Sequence, residues 1–277
     1  MERRSVWLLL GAAVLWGTTG TAQSLGGAEG SSLAVGAMRL AIGAAGLLVV
    51  GVRSLTRPPL GWLTLGGMAM AGYQVAFFSA VSRSGVALGT VVAIGSAPIM
   101  AGLMARVSRG ERLSPRWWTS TAFGGVGVAL IAGRPETVDP VGIGLALAAG
   151  FAYALGTLAS KPLVEVMSPA AAMAAVFGTA AVLLAPLLPA TDLDWLGTPA
   201  GLGAALWLGL GATTLAYLLF ARGLRGSGVG QAATMGLAEP ATATVLGVLL
   251  LGERPPGLAW IGLASIVTGL IILTRRQ

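Results

Sequence analysis

The chain has 277 residues, of which 55% are hydrophobic and only 10% charged, with a mean hydropathy of +0.84; a soluble domain carries about 25% charge, so a water-soluble fold is excluded. Its net charge of +7 comes from 17 basic against 10 acidic residues, and the basic ones are scattered between apolar runs, as in membrane loops rather than a nucleic-acid-binding face. Cysteine and histidine are both absent, which excludes a disulfide framework, thiolate chemistry and the usual zinc sites, and no cofactor is expected.

A bilayer core of ~30 Å needs roughly 20 apolar residues of helix. The hydropathy pattern predicts ten such spans, an all-α integral membrane protein: 5–23, 31–52, 60–82, 84–107, 115–133, 140–161, 168–188, 200–224, 226–251 and 257–274. The first, "MERRSVWLLLGAAVLWGTTG", has the basic start of a secretory signal. Its apolar run is too long and lacks a clear cleavage site, so it reads as a retained span. Trp16 lies deep within it, and the second span carries Arg39, an intramembrane charge. The third brings Tyr73, Gln74, Phe77 and Phe78. The fourth opens on "GVALG" and is interrupted by Pro98. Trp117 and Trp118 start the fifth, and with Trp62 and Trp260 read as interfacial anchors. The sixth holds Phe151 and Tyr153, the eighth Trp207, Tyr217 and Phe220. The ninth opens on "GSGVG" and contains Glu239 and Pro240 near its middle. Connections are short and punctuated by "TRPP", "RLSP", "RPETVDP", "PATDLD" and "ERPP".

Ten spans put both termini on one side. With the termini in the cytoplasm, thirteen basic residues fall inside (Arg3, Arg4, Arg53, Arg57, Arg106, Arg109, Arg112, Arg116, Lys161, Arg222, Arg225, Arg275 and Arg276). Three fall outside: Arg83, Arg134 and Arg254. The positive-inside rule therefore predicts a multi-pass protein of the cell (inner) membrane with cytoplasmic termini.

The chain repeats itself. "LLLGAAVLWGTTGTA" (8–22) aligns with "LALAAGFAYALGTLA" (145–159), setting Trp16 against Tyr153. Pro98, Glu111, Arg112, Trp118 and Gly127 recur 142 residues later as Pro240, Glu253, Arg254, Trp260 and Gly269. Two copies of five spans are predicted, 1–135 and 136–277. An odd number of spans inverts the second copy, the arrangement of many secondary transporters, with a central cavity between the copies.

The chain resembles EamA-type transporters of the drug/metabolite transporter superfamily. The resemblance rests on "LWGTTG", "MRLAIGAAGLL", "GYQVAFFSAVSRSGVALGTVVAIGSAPI" and "RGERLSP" in the first copy. "LAYLLFARGLRGSGVGQAATMGLAEPATATVLGVLLLGERP" carries it in the second. It implies ten helices in a basket around a central cavity and, mostly, efflux of amino acids or other small metabolites.

Isolated charge at mid-membrane costs on the order of 3 kcal/mol even on lenient scales, so Glu239 must be protonated, paired or facing a wet cavity. It fits a proton-coupling site or a contact for a substrate ammonium. It also fits a structural acid bonded to Thr234, Thr242 or a carbonyl freed by Pro240. Arg39 offers a bidentate fork to a carboxylate, or snorkels outward. Trp16, Tyr73, Gln74, Phe78, Tyr153, Trp207 and Tyr217 complete the candidate wall, apolar with polar tips. Pro98 and Pro240 are candidate helix breaks at matched depth. Glu111-Arg112 and Glu253-Arg254 close helices at opposite surfaces and read as ion pairs or caps.

An intramembrane enzyme is disfavoured: one buried acid makes no acid–base pair. Lys161 is the only lysine and no "GxxxxGK[ST]" occurs, which excludes ATP-driven transport by this chain. A scaffold gains nothing from two mirror packings. The expected function is export of neutral or zwitterionic metabolites, amino acids first. Multidrug or other small-metabolite efflux, and facilitated diffusion without protons, are the alternatives. The expected partners are a small-molecule substrate and the lipid bilayer, with no nucleic acid. Two copies in one chain make a monomer sufficient and leave a dimer open.

Overall fold

The computed structural model describes residues 1–27, 32–52, 57–134, 138–186 and 193–275. The predicted copy boundary at 135/136, and Arg53 and Arg276 of the inside set, lie outside the described residues. All regular structure among the described residues is helical: α1 (Arg3–Gly17), α2 (Thr19–Leu25), α3 (Ser32–Gly51), α4 (Leu60–Arg109), α5 (Pro115–Ala132), α6 (Pro140–Val166), α7 (Pro169–Leu184), α8 (Pro199–Leu206), α9 (Ala216–Arg225), α10 (Val229–Met235), α11 (Ala238–Leu251) and α12 (Gly257–Thr274). A π-helical stretch, Trp207–Leu215, joins α8 to α9.

Local chemistry sets these boundaries. A capping side chain followed by proline starts four helices: Ser114-Pro115, Asp139-Pro140, Ser168-Pro169 and Thr198-Pro199. The side-chain oxygen takes a free backbone N–H of the first turn, and proline sits where no N–H is needed. Gly110 and Gly252 end α4 and α11 in the left-handed region, at φ 68° and 69°, where a glycine meets no Cβ penalty. Gly85 (φ 76°, ψ 162°) breaks α4 into two helices, at the junction between the predicted third and fourth spans.

Among the described residues, seven helical stretches are long and apolar enough to cross a membrane: Arg3–Leu25, Ala34–Gly51, Ala87–Arg109, Pro140–Val166, Pro199–Arg225, Val229–Leu251 and Gly257–Thr274. The first half of α4, α5 and the shorter apolar α7 fall outside that set. Arg83, Gln74 and several serines and glycines dilute the former, and Arg116 with its neighbouring hydroxyls dilutes α5.

Packing pairs α4 with α6, α5 with α12, α3 with α7, and α1 with α9 and α11. Glycines let α5 and α12 touch backbone to backbone. A Cβ on Gly127 would lie 2.6 Å from both the Gly262 carbonyl and Ile266, and one on Gly269 would lie 2.8 Å from the Ser120 carbonyl and 3.4 Å from Gly124. Since 262, 266 and 269 are 120, 124 and 127 advanced by 142, these are one contact made twice, once from each half. The buried centre is aromatic: Trp16 lies 5.0 Å from Tyr217 and 5.4 Å from Phe220, and Phe177 lies 4.2 Å from Tyr217, centroid to centroid. Trp117 is 1% exposed and wedged against Gly102 and Gly230; it is a core residue, unlike the exposed Trp118 and Trp260. Glycine on both facing helices opened a slot that an indole fills.

Candidate functional site

On the face that carries the chain termini, helix ends are tied together. Lys161, from α6 and only 8% exposed, donates to the carbonyls of Leu224, Arg225 and Ser227 at 2.8, 3.0 and 2.9 Å, capping the end of α9. Arg225, from α9, returns the favour to α6 by donating to the carbonyls of Val164 and Met167. Arg109 binds both oxygens of Glu165 at 3.0 Å. Glu111 accepts the Val229 N–H at the start of α10, with its two oxygens at 3.1 and 3.0 Å, so the capping role expected for this acid is the one it plays. Cations on helix C-termini and an anion on a helix N-terminus are the favourable polarities for the backbone dipoles. This face is closed.

The opposite face is open. A cavity of about 440 Å³ descends from a rim made by Ser24, Ala87, Ala132, Leu251 and Glu253. Its volume lies in the range of about 300–1,000 Å³ usual for small-molecule sites. Deeper, its wall contains Trp16, Arg39, Tyr73, Gln74, Phe77, Phe78, Ile94, Glu239 and Pro240. The equivalent of Arg225, Arg83, binds Asp139, the N-cap of α6, at 2.7 Å and is not part of the cavity lining. Asp139 lies outside the spans. Its carboxyl is held below the ordinary value, first by the Val141 N–H it accepts and then by the Arg83 guanidinium.

Glu239 reaches the cavity because the backbone before it is not α-helical. Between α10 and α11 the N–H groups of Gly236, Leu237 and Glu239 bond three residues back, to Ala233, Thr234 and Gly236, at 3.1, 3.1 and 2.9 Å. Pro240 has no N–H for the Gly236 carbonyl, and the Glu239 N–H takes that carbonyl instead. The tight turn makes Glu239 a first-turn residue of α11, where the positive end of the helix favours a carboxylate. Arg39 lines the same cavity from α3 and forms no ion pair among the described residues. Gln74 is buried and donates to the Gly36 carbonyl at 3.3 Å. Behind Glu239 a chamber of about 30 Å³ is enclosed by Tyr73, Ile94, Ala97, Tyr153 and Gly236, room for roughly one water.

The structure thus gathers Trp16, Arg39, Tyr73, Gln74, Phe78 and Glu239 around one cavity, with Tyr153 just behind it. Two of the expected residues stand elsewhere. Tyr217 is buried beneath Trp16, against Phe177. Trp207 is 46% exposed on the outer surface, where its Nε1 donates to Thr18 Oγ1 at 2.9 Å and it flanks a lateral groove with Leu246 and Leu250. The π-helical stretch between them bonds Thr213 and Thr214 hydroxyls five residues back, to Leu208 and Gly209. That extra residue per turn shifts the register on which regular helical spacing relies. Phe151 is half exposed. The matched breaks are not matched either: α4 runs helically through Pro98, its one non-helical residue being Gly85, whereas the ninth segment breaks just before Pro240. Sequence reasoning missed the sealing roles of Lys161 and Arg225. A single lysine inside an apolar helix, with Glu165 one turn on, was the available signal.

The EamA-like transporter family model matches residues 3–133 and again residues 140–275. An uncharacterized transporter, YwfM, of Bacillus subtilis (strain 168) is 42% identical over 98% of this chain and 93% of its own. A probable terminal-alkyne amino-acid exporter of Streptantibioticus cattleyicolor is 27% identical over 99% of this chain and 94% of its own. Protein PecM of Dickeya dadantii (strain 3937) is 28% identical over 83% and 79%. A solved protein crystal structure superposes with a TM-score of 0.85 at 24% identity, covering 99% of this chain and 97% of that one.

Proposed function

Because the chain belongs to the EamA-like transporter family and matches its model twice, we propose that it exports small neutral or zwitterionic metabolites, amino acids foremost, as a secondary transporter working by alternating access. One observation carries the substrate class: below a rim that holds Glu253, the cavity open to one face has Glu239 as its deep carboxylate and Arg39 as its guanidinium, amid aromatic and aliphatic wall. An amino acid presents an ammonium to Glu239, a carboxylate to Arg39 and a side chain to Trp16, Tyr73 and Phe78. The amino-acid exporter named among the relatives supports the same class. A phosphorylated cargo needs several cations in the wall, and among the described residues Arg39 is the one cation that lines it. The largely apolar wall favours lipophilic cations as the second reading.

In this proposal ten spans cross the cell (inner) membrane, as two inverted copies of five. α4 supplies two of them, α5 and α7 the remaining short ones, and the termini lie in the cytoplasm. The α5–α12 contact, made once from each half, supports a two-fold relation between the copies. The open face is then external. Glu239 couples export to protons, or the carrier works downhill without them.

Counterflow into proteoliposomes tests the reading. Vesicles loaded with one unlabelled amino acid accumulate the labelled one, and lipophilic cations and nucleotides do not compete. No accumulation with any amino acid, in protein shown to be folded, sinks the substrate class. Glu239→Gln abolishes pH-driven flux in folded protein if Glu239 couples protons; if transport is facilitated, a pH gradient drives no flux in the parent and the variant keeps exchange.

A further inference from the structure

Glu111 and Glu253 sit in turns that are local copies. Each follows a left-handed glycine, and each donates its own N–H to a carbonyl six residues back, Ala105 at 3.2 Å and Gly247 at 3.0 Å. Their carboxylates do opposite things. Glu111 crosses to the other copy and caps the start of α10 at Val229. Glu253 is exposed at the mouth of the open cavity, folded back over Gly247 of its own helix, where a Cβ would lie 2.9 Å from its carboxyl carbon.

The N–H that Glu253 would cap can be located. The residue 142 positions before Val229 is Ala87, and Ala87 stands on the same cavity rim as Glu253. It belongs to the first turn after Gly85, whose φ of 76° and ψ of 162° end one helix and start another. N–H groups in such a turn have no carbonyl a turn earlier to bond.

We propose that Glu253 is the second of two reciprocal latches. When the open face closes, the Glu253 carboxylate caps the helix start at Ala87, and Glu111 leaves Val229. Each end state holds one carboxylate-to-helix bond and frees the other, so the exchange favours neither end state. The proposal rests on the alternating-access reading above.

The absence of cysteine provides a clean background for the test. Thr90→Cys reports access to the open cavity from the face opposite the termini. Ser227→Cys reports on the sealed face, where Ser227 is buried. Labelling with a membrane-impermeant maleimide is compared across variants in proteoliposomes of known orientation. A charge-assisted bond lost from one state shifts the ratio of states about tenfold. Glu111→Ala therefore slows labelling of Thr90→Cys and speeds that of Ser227→Cys. Glu253→Ala, starting from a state in which its bond is unmade, shifts both the other way. The double variant returns both rates toward the parent, a compensation that misfolding cannot produce. Reporters that respond reciprocally to Glu111→Ala but not to Glu253→Ala overturn the latch and leave alternating access standing. Reporters that never move reciprocally, in any variant or with substrate, overturn alternating access itself.

Discussion

Replacing Lys161 by methionine keeps the aliphatic stem and removes the ammonium. Three carbonyls, of Leu224, Arg225 and Ser227, then lose donors at 2.8–3.0 Å. Leu224 still accepts the Ser227 N–H at 3.3 Å, so the Arg225 and Ser227 carbonyls are the two left without a donor, and with Lys161 8% exposed water reaches them poorly. A buried acceptor left unsatisfied costs about 1–3 kcal/mol. Taking the low end for each, because the end can refold onto tighter turns, gives about 2 kcal/mol. At about 2–4 °C per kcal/mol for a chain of this order, the thermal midpoint of detergent-solubilised protein falls by about 4 °C or more. Glu165→Gln is the internal control: its carboxylate is 39% exposed, 3.5 Å from Lys161 and 3.0 Å from Arg109, and such exposed pairs are worth about 0.2–1 kcal/mol each. Tryptophan fluorescence during heating reads both. A Lys161→Met protein within 1 °C of the parent, or one less affected than Glu165→Gln, refutes carbonyl capping as the seal.

Gly127→Leu drives a side chain into the Gly262 carbonyl, which a Cβ alone would approach to 2.6 Å. Helices α5 and α12 must separate, and folded yield in detergent, measured by size-exclusion chromatography, falls sharply, while Gly125→Leu, with open space at its Cβ, leaves it unchanged. Asp139 has a folded-state pKa below its ordinary value, so it stabilises the fold above the unfolded pKa of about 4 and that contribution is lost as pH falls through the folded value. Asp139→Asn therefore flattens the decline of the thermal midpoint below about pH 4, as measured by unfolding scans across pH. Gly36→Ala places a methyl against Phe78 and 3.0 Å from Gln74 Nε2; it lowers counterflow by moving the cavity wall, with the thermal midpoint close to that of the parent. Trp207→Phe removes the bond to Thr18 outside the cavity and leaves counterflow kinetics near those of the parent.

Helix existence was legible because apolar runs, Ser/Thr/Asp-Pro starts and Gly stops are local signals, and the helices follow them at Pro115, Pro140, Pro169 and Pro199. Most of the cavity wall was legible too, since a charge or amide inside an apolar run must face water or a partner: Arg39, Gln74 and Glu239 all line it. Aromatic residues carried less information. Tyr217 and Phe151 are equally content in core, cavity or lipid, and only packing sorted them. Trp207 was lost to the π-helical stretch, whose extra residue leaves no mark in composition.

By itself, the sequence determined an all-helical membrane chain with two related halves, because hydropathy, caps and a 142-residue recurrence are written along the chain. Tertiary structure alone decided which face is open. Glu111 and Glu253 carry the same local signals and adopt the same local turns, yet one caps a helix across the molecule and the other lines an empty mouth. That difference lies in contacts between halves more than a hundred residues apart, and a shared Gly-Glu-Arg turn cannot encode two opposite states of one asymmetric packing.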